Sequence, residues 1–97
     1  MAYVVSATWT VQDGHEGTVL ENVKALTKIS RTEPGCRFYQ AYYDPTAPTV
    51  INLFEIYEDE AAYQAHGASD HFQDLGFAKS IPLLADRQRA FYETIDA

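Results

Sequence analysis

Tyr3, Val5, Ala7, Trp9 and Val11 fall on one side of an extended chain, and Ser6, Thr8 and Thr10 fall on the other. This period of two, built from β-branched and aromatic residues, predicts a strand over Tyr3–Val11. Asp13-Gly14 breaks the strand, and Asp13 is placed to cap a helix with Glu16 as its reciprocal partner. Val19, Val23, Leu26 and Ile29 then recur at helical spacing with Leu20 beside them, while Glu21, Asn22, Lys24 and Lys28 point elsewhere. The pattern predicts an amphipathic helix of about four turns. Glu33-Pro34-Gly35 ends it, because proline restricts the residue before it and glycine accepts positive φ.

Alternation returns at 36–43, with Cys36, Phe38, Gln40 and Tyr42 on one face and Arg37, Tyr39, Ala41 and Tyr43 on the other. A turn with two prolines, Pro45 and Pro48, leads to a third strand over Val50–Tyr57. There Val50, Asn52, Phe54 and Ile56 oppose Ile51, Leu53, Glu55 and Tyr57. The short connection predicts an antiparallel hairpin. Asp59-Glu60 opens a short helix closed by Gly67, and Ser69 is placed to cap another carrying Phe72, Leu75 and Phe77. Ile81-Pro82 interrupts that helix. Residues 83–95 fit two patterns. Leu84, Gln88, Phe91 and Ile95 suit a helix, whereas the alternation around Ala90, Phe91, Tyr92 and Glu93 suits a strand.

A strand at the end would complete a β-α-β-β-α-α-β order. That is an α+β, ferredoxin-like sandwich: a four-stranded antiparallel sheet with its helices on one face. The other face would carry the large apolar residues of the second and third strands into solvent, which marks an interface. A homodimer packed through that open face is the expectation.

The chain has 97 residues, the length of one domain, taken as 1–97. A lone core of this size buries only roughly 60–65 % of the unfolded surface, so a dimer would add needed burial. The net charge of -7, from 7 basic and 14 acidic residues, argues against nucleic acid and anionic membrane as partners. A single cysteine excludes an intrachain disulfide and any multi-cysteine zinc site. The first twelve residues lack a basic targeting region, and no uncharged run reaches the roughly 18–20 residues of a membrane span. A soluble, cytoplasmic protein is therefore expected.

Several segments look familiar in combination. Glu33-Pro34-Gly35-Cys36 followed by Tyr39 resembles the "EPGC…Y" segment of antibiotic biosynthesis monooxygenase (ABM) domains. Phe54-Glu55-Ile56-Tyr57-Glu58-Asp59 resembles their strand ending in Glu-x-Trp, and Ala65-His66 through Ser69 to His71-Phe72 resembles their "aH..s.HF" segment. Order and spacing match over about residues 3–95. The resemblance implies a dimeric α+β barrel, and it tilts residues 83–95 towards a strand. It also implies a choice of chemistries: cofactor-independent oxygenation of quinols and polyketide-type phenols, haem degradation, or sugar isomerisation. Two departures matter. Tyr57 stands where relatives commonly carry Trp, and Gly76 stands where haem-degrading relatives place their haem-ligating His, which disfavours haem.

His66 and His71 are the candidate catalytic bases, because imidazole exchanges protons near neutrality. The same pair could instead be a helix-end His66 on backbone carbonyls and a surface His71. Glu55 is a carboxylate among apolar groups, either a base or orienting group, or half of an ion pair with Arg37, Arg87 or Arg89. Asn52 could hold an oxyanion or satisfy a bulge. Tyr39, Tyr57, Tyr63 and Phe72 are the candidates to stack on a flat aromatic substrate, although most aromatic residues must serve the core and the interface. Cys36 reads as a buried strand cysteine, and His66 and His71, five apart, lack the spacing of a helical zinc pair. No flavin, nicotinamide or nucleotide fingerprint is present, so no cofactor is expected. The reading is a cofactor-independent monooxygenase of a hydroxylated aromatic, in which the substrate anion reacts directly with O2. A non-catalytic dimeric binding module, or an isomerase using the same proton-transfer residues, is the alternative.

Overall fold

A computed structural model describes residues 1–96. The chain runs β1 (Tyr3–Val11), α1 (Glu16–Ser30), β2 (Cys36–Tyr42), β3 (Val50–Tyr57), α2 (Glu60–Ala68), α3 (Phe72–Ala78), a 3-10 turn (Ile81–Leu83) and β4 (Leu84–Glu93). The four strands form one antiparallel sheet in the order β2-β3-β1-β4. This is the ferredoxin-like arrangement, and the last segment is a strand. Its pairing with β1 along nearly its whole length decides what local pattern left open, with Arg87 opposite Trp9, Arg89 opposite Ala7 and Phe91 opposite Val5.

The helices cover the sheet face that carries Ala7, Trp9, Val11, Tyr39, Ile51 and Leu53, and α1 presses Val19, Val23 and Leu26 onto it. Burial of these side chains is the main stabilising term, at about 25 cal/mol per Å2 of apolar surface. The opposite face of the sheet is bare. Phe38 and Tyr42 on β2 and Tyr92 on β4 are exposed there, and the Phe38 and Phe54 rings meet edge to face at 5.9 Å.

Three local features differ from the sequence expectation. Asp13 does not cap α1; the N-cap position is His15, and the Glu16 carboxylate accepts from the Gly14 amide at 2.9 Å. A register shift between Cys36 and Phe38 sets Cys36 opposite Tyr57 and Phe38 opposite Ile56. Cys36 therefore turns to the helix face and packs on the core, while Phe38 stays on the bare face. Bulges of this kind insert one residue and cannot be read from alternation. The third helix is a wide π turn, in which the Lys79 amide donates to the Asp74 carbonyl. Gly76 fits it: a Cβ there would lie 2.8 Å from the Phe72 ring, so any side chain would displace that ring. The expected caps of the later helices do form, with Asp59 accepting from the Ala62 amide at 2.8 Å and Ser69 Oγ accepting from the Phe72 amide at 3.2 Å. Among the described residues no helix is long and apolar enough to cross a membrane.

Candidate active site

The turn after α1 and the last turn of α2 meet over the β2–β3 end of the sheet. Gly35 makes this possible. A Cβ at that position would come within 2.4 Å of the Ala62 Cβ, so only glycine lets α2 lie this close to the Glu33-Pro34-Gly35 turn. The Gly35 carbonyl also accepts from the Glu58 amide at 2.8 Å, tying the turn to the end of β3. The contact brings Glu33 against residues 33 and 38 positions further along the chain. Its Oε2 accepts from His66 Nδ1 at 2.8 Å and from His71 Nε2 at 2.5 Å. Ser69, which donates to the His66 carbonyl at 2.6 Å, fixes the corner between the two histidines.

His66 is 2 % exposed. Its ring sits among Tyr39, Tyr57 and Phe72, with centroids 5.7, 5.4 and 5.2 Å away. Burial lowers its pKa, and the hydrogen bond and charge of Glu33 act in the opposite direction. A neutral imidazole that donates through Nδ1 carries its lone pair on Nε2. Nε2 has no hydrogen-bond partner among the described residues and is not sealed from water. This is the arrangement of an oriented base: a carboxylate fixes the tautomer and the opposite nitrogen is free to take a proton.

His66 lines a cavity of about 430 Å3 between the sheet and α2, within the usual range for small-molecule sites. Val5, Ala7 and Trp9 of β1 form its floor, with Tyr39 and Glu55 from β2 and β3. Tyr63, His66 and Phe72 form the roof, and Arg87, Arg89 and Phe91 of β4 form the far wall.

Glu55 is 5 % exposed, and among the described residues no arginine lies within ion-pair distance of it. Its direct partner is the Tyr57 hydroxyl, which donates at 2.5 Å, rather than an arginine. Burial pushes the Glu55 carboxyl up to about 7, against the pull of Tyr57 and the more distant Arg87 and Arg89 charges. Tyr57 is fully buried, its hydroxyl pKa raised by burial and by Glu55, so it stays a donor. Burial likewise pushes the Cys36 thiol up to about 11, which makes it an unreactive packing residue.

Of the residues singled out from sequence, His66, Glu55, Tyr39, Tyr63 and Phe72 line the cavity. Tyr57 stands behind it, holding Glu55. His71 is not among the residues that line the cavity; it binds Glu33 and is half-buried rather than on the surface. Asn52 lies on the bare face of the sheet, where its Oδ1 accepts from the Thr8 hydroxyl at 3.2 Å. It cannot reach this cavity, because strand alternation points it through the opposite side of the sheet.

Sequence reasoning did not single out Glu33, Arg87 or Arg89 as site residues; the two arginines entered it only as possible ion-pair partners of Glu55. Glu33 was visible in the Glu-Pro-Gly-Cys segment but read as a helix terminator and part of a family-like segment, not as a partner of the histidines. Arg87 and Arg89 alternate with Phe91, a signal that becomes legible once residues 83–95 are a strand. Helical spacing does not describe the two histidines, because His71 lies beyond the end of α2. Among the described residues, Glu33, His66 and His71 are the group whose ligand atoms, all within 4.8 Å of one another, could converge on a metal ion. As they stand, the carboxylate oxygen occupies the point between the ring nitrogens and satisfies both donors.

The sequence model of the antibiotic biosynthesis monooxygenase (ABM) family matches residues 2–75. Among solved structures, a Pseudomonas aeruginosa protein superposes with a TM-score of 0.89 at 24 % identity, covering 98 % of this chain and 95 % of its own. An antibiotic biosynthesis monooxygenase superposes with a TM-score of 0.88 at 24 % identity, covering 99 % and 100 %. A Mycobacterium tuberculosis protein gives 0.89 at 22 % identity, covering 100 % and 98 %. No protein of curated function matches the chain. The family match runs from β1 into α3, and the structural likeness extends through β4 to complete the same sheet. The chain therefore belongs to the antibiotic biosynthesis monooxygenase family.

Proposed function

We propose that the protein is a cofactor-independent monooxygenase of a hydroxylated aromatic, a quinol or polyketide-type phenol, acting as a soluble cytoplasmic homodimer paired through the bare sheet face. The observation that carries this reading is His66: its Nδ1 is bound to Glu33, its Nε2 has no hydrogen-bond partner among the described residues, and the residue lines an aromatic-rich cavity. A flat substrate stacks between Trp9 and Tyr39 below and Tyr63 and Phe72 above. His66 Nε2 removes its hydroxyl proton, with Glu33 steadying the imidazolium that forms. The substrate anion is a far better electron donor than the neutral phenol. It passes one electron to O2, and the substrate radical and superoxide recombine at a ring carbon to give a peroxide. Loss of water then leaves one oxygen atom in the product as a carbonyl and the other in water. The protein supplies position, deprotonation and exclusion of bulk water. In this assignment His71 holds Glu33 from outside the cavity, and the Tyr57-bound Glu55 shapes the polarity of the floor.

The test is oxygen uptake by purified protein with a panel of quinols and anthrones, protein-free autoxidation subtracted. Wild type is expected to exceed background, and His66→Ala to lose roughly 100-fold or more of that excess, the usual weight of a general base. Equal uptake by wild type and His66→Ala removes His66 as the base. Turnover that persists without O2 makes the protein an isomerase instead.

A further inference from the structure

The far wall of the cavity is cationic in a protein of net charge -7. Arg87 and Arg89 enter it from β4, where antiparallel pairing sets them on the helix-facing side beside Trp9 and Ala7. Their situations differ. The Arg89 guanidinium donates to the Tyr63 hydroxyl at 3.0 Å and stacks over Phe91 at 5.7 Å. Arg87 Nε is buried and has no hydrogen-bond partner among the described residues. No carboxylate lies within ion-pair distance of Arg87 among them either; of the two acids that share the cavity, Glu55 and Glu60, Glu55 is bound to Tyr57. A buried donor without a partner is costly, and one that a native protein retains calls for an explanation such as a bound group that completes it. Guanidinium groups match planar anions, which take two parallel hydrogen bonds from the fork.

We infer that the cavity binds an aromatic acid, whose carboxylate lies on Arg87 with Arg89 beside it while its hydroxyl faces His66. The spacing suits one fused-ring molecule. His66 lies over β2 and β3, and Arg87 projects from β4, two strand spacings or about 10 Å from β3. The hydroxyl end rests on the proposed role of His66. The acidic end stands on Arg87 independently of any turnover.

The experiment therefore reads binding. A dihydroxynaphthoate and a hydroxybenzoate are each compared with their methyl esters by calorimetry under anaerobic conditions. The wild type is expected to favour each acid by about ten- to hundredfold, the worth of one charge-assisted hydrogen bond. Arg87→Met, which keeps much of the apolar stem, is expected to bring acid and ester within about twofold. Arg37→Met, the same charge change on the exposed bulge of β2, leaves the preference intact. An acid preference below about fivefold in the wild type, its survival in Arg87→Met, or no binding of either acid at about 1 mM overturns the inference. The wild-type comparison decides the matter even if a variant fails to fold. Acid preference without oxygen uptake supports the anion site while sinking the oxygenase reading, and oxygen uptake without acid preference does the reverse.

Discussion

Replacing Glu55 by glutamine should make the protein more stable, and only above acid pH. The native carboxyl titrates near 7 because it is buried, against 4.5 for a free one. A folded-state pKa raised above the unfolded value means that the native protein holds a proton which the unfolded chain has released. Stability from this source is therefore fully present below about 4.5 and is lost as the pH rises to about 7. The whole interval corresponds to about 3 kcal/mol, at 1.36 kcal/mol for each tenfold step. The glutamine amide does not titrate, and its carbonyl still accepts the Tyr57 hydroxyl bond that Glu55 accepts. Urea unfolding of both proteins from pH 4.5 to 8.5, at one fixed protomer concentration, isolates the term, because groups common to both cancel. Relative to wild type, Glu55→Gln should gain about 3 kcal/mol across the range, roughly 10–20 °C in Tm for a domain of this size. A gain smaller than about 1 kcal/mol, or a gain that appears on the acid side, would show that Glu55 is not held as a buried acid.

Glu33→Gln removes the negative charge that steadies protonated His66. Its proton affinity should fall about ten- to hundredfold, read as a lower titration midpoint of the His66 ring in NMR spectra; an unmoved midpoint refutes the coupling. Gly35→Ala should cost about 1–3 kcal/mol through its clash with Ala62, and a double-mutant cycle with Ala62→Gly should return a coupling of about 1 kcal/mol or more. Strict additivity in that cycle would mean that α2 moves aside freely.

Much of the fold was legible because its signals are local. β1, α1 and the β2–β3 hairpin each carry a period that one stretch of sequence contains. β4 was not legible in this way, because its apolar residues satisfy both periods and its partner β1 lies some eighty residues earlier. The bulge at Cys36 reversed a face assignment, since alternation assumes an unbroken register. At the site, His66 and Glu55 could be singled out by chemistry in an apolar neighbourhood. Asn52 was placed by the same logic and landed on the wrong side of the sheet for this cavity. What joins Glu33 to both histidines is the close approach of two segments, permitted by the missing Cβ of Gly35, and no period in the chain encodes that distance.

The sheet is one layer thick, and its two faces lead separate lives. Along β1 and β3 the odd-numbered residues, such as Val5, Trp9 and Glu55, meet the cavity or core, while even-numbered ones, such as Thr8, Asn52 and Phe54, meet the bare face. Point substitutions at odd positions can thus alter which ligand is accepted without disturbing the outer surface, and those at even positions can do the converse. Deleting a single residue within either strand would exchange the two sets at once. Descent within this fold is accordingly free to diversify chemistry by substitution, but it is confined to loops and bulges when it gains or loses length.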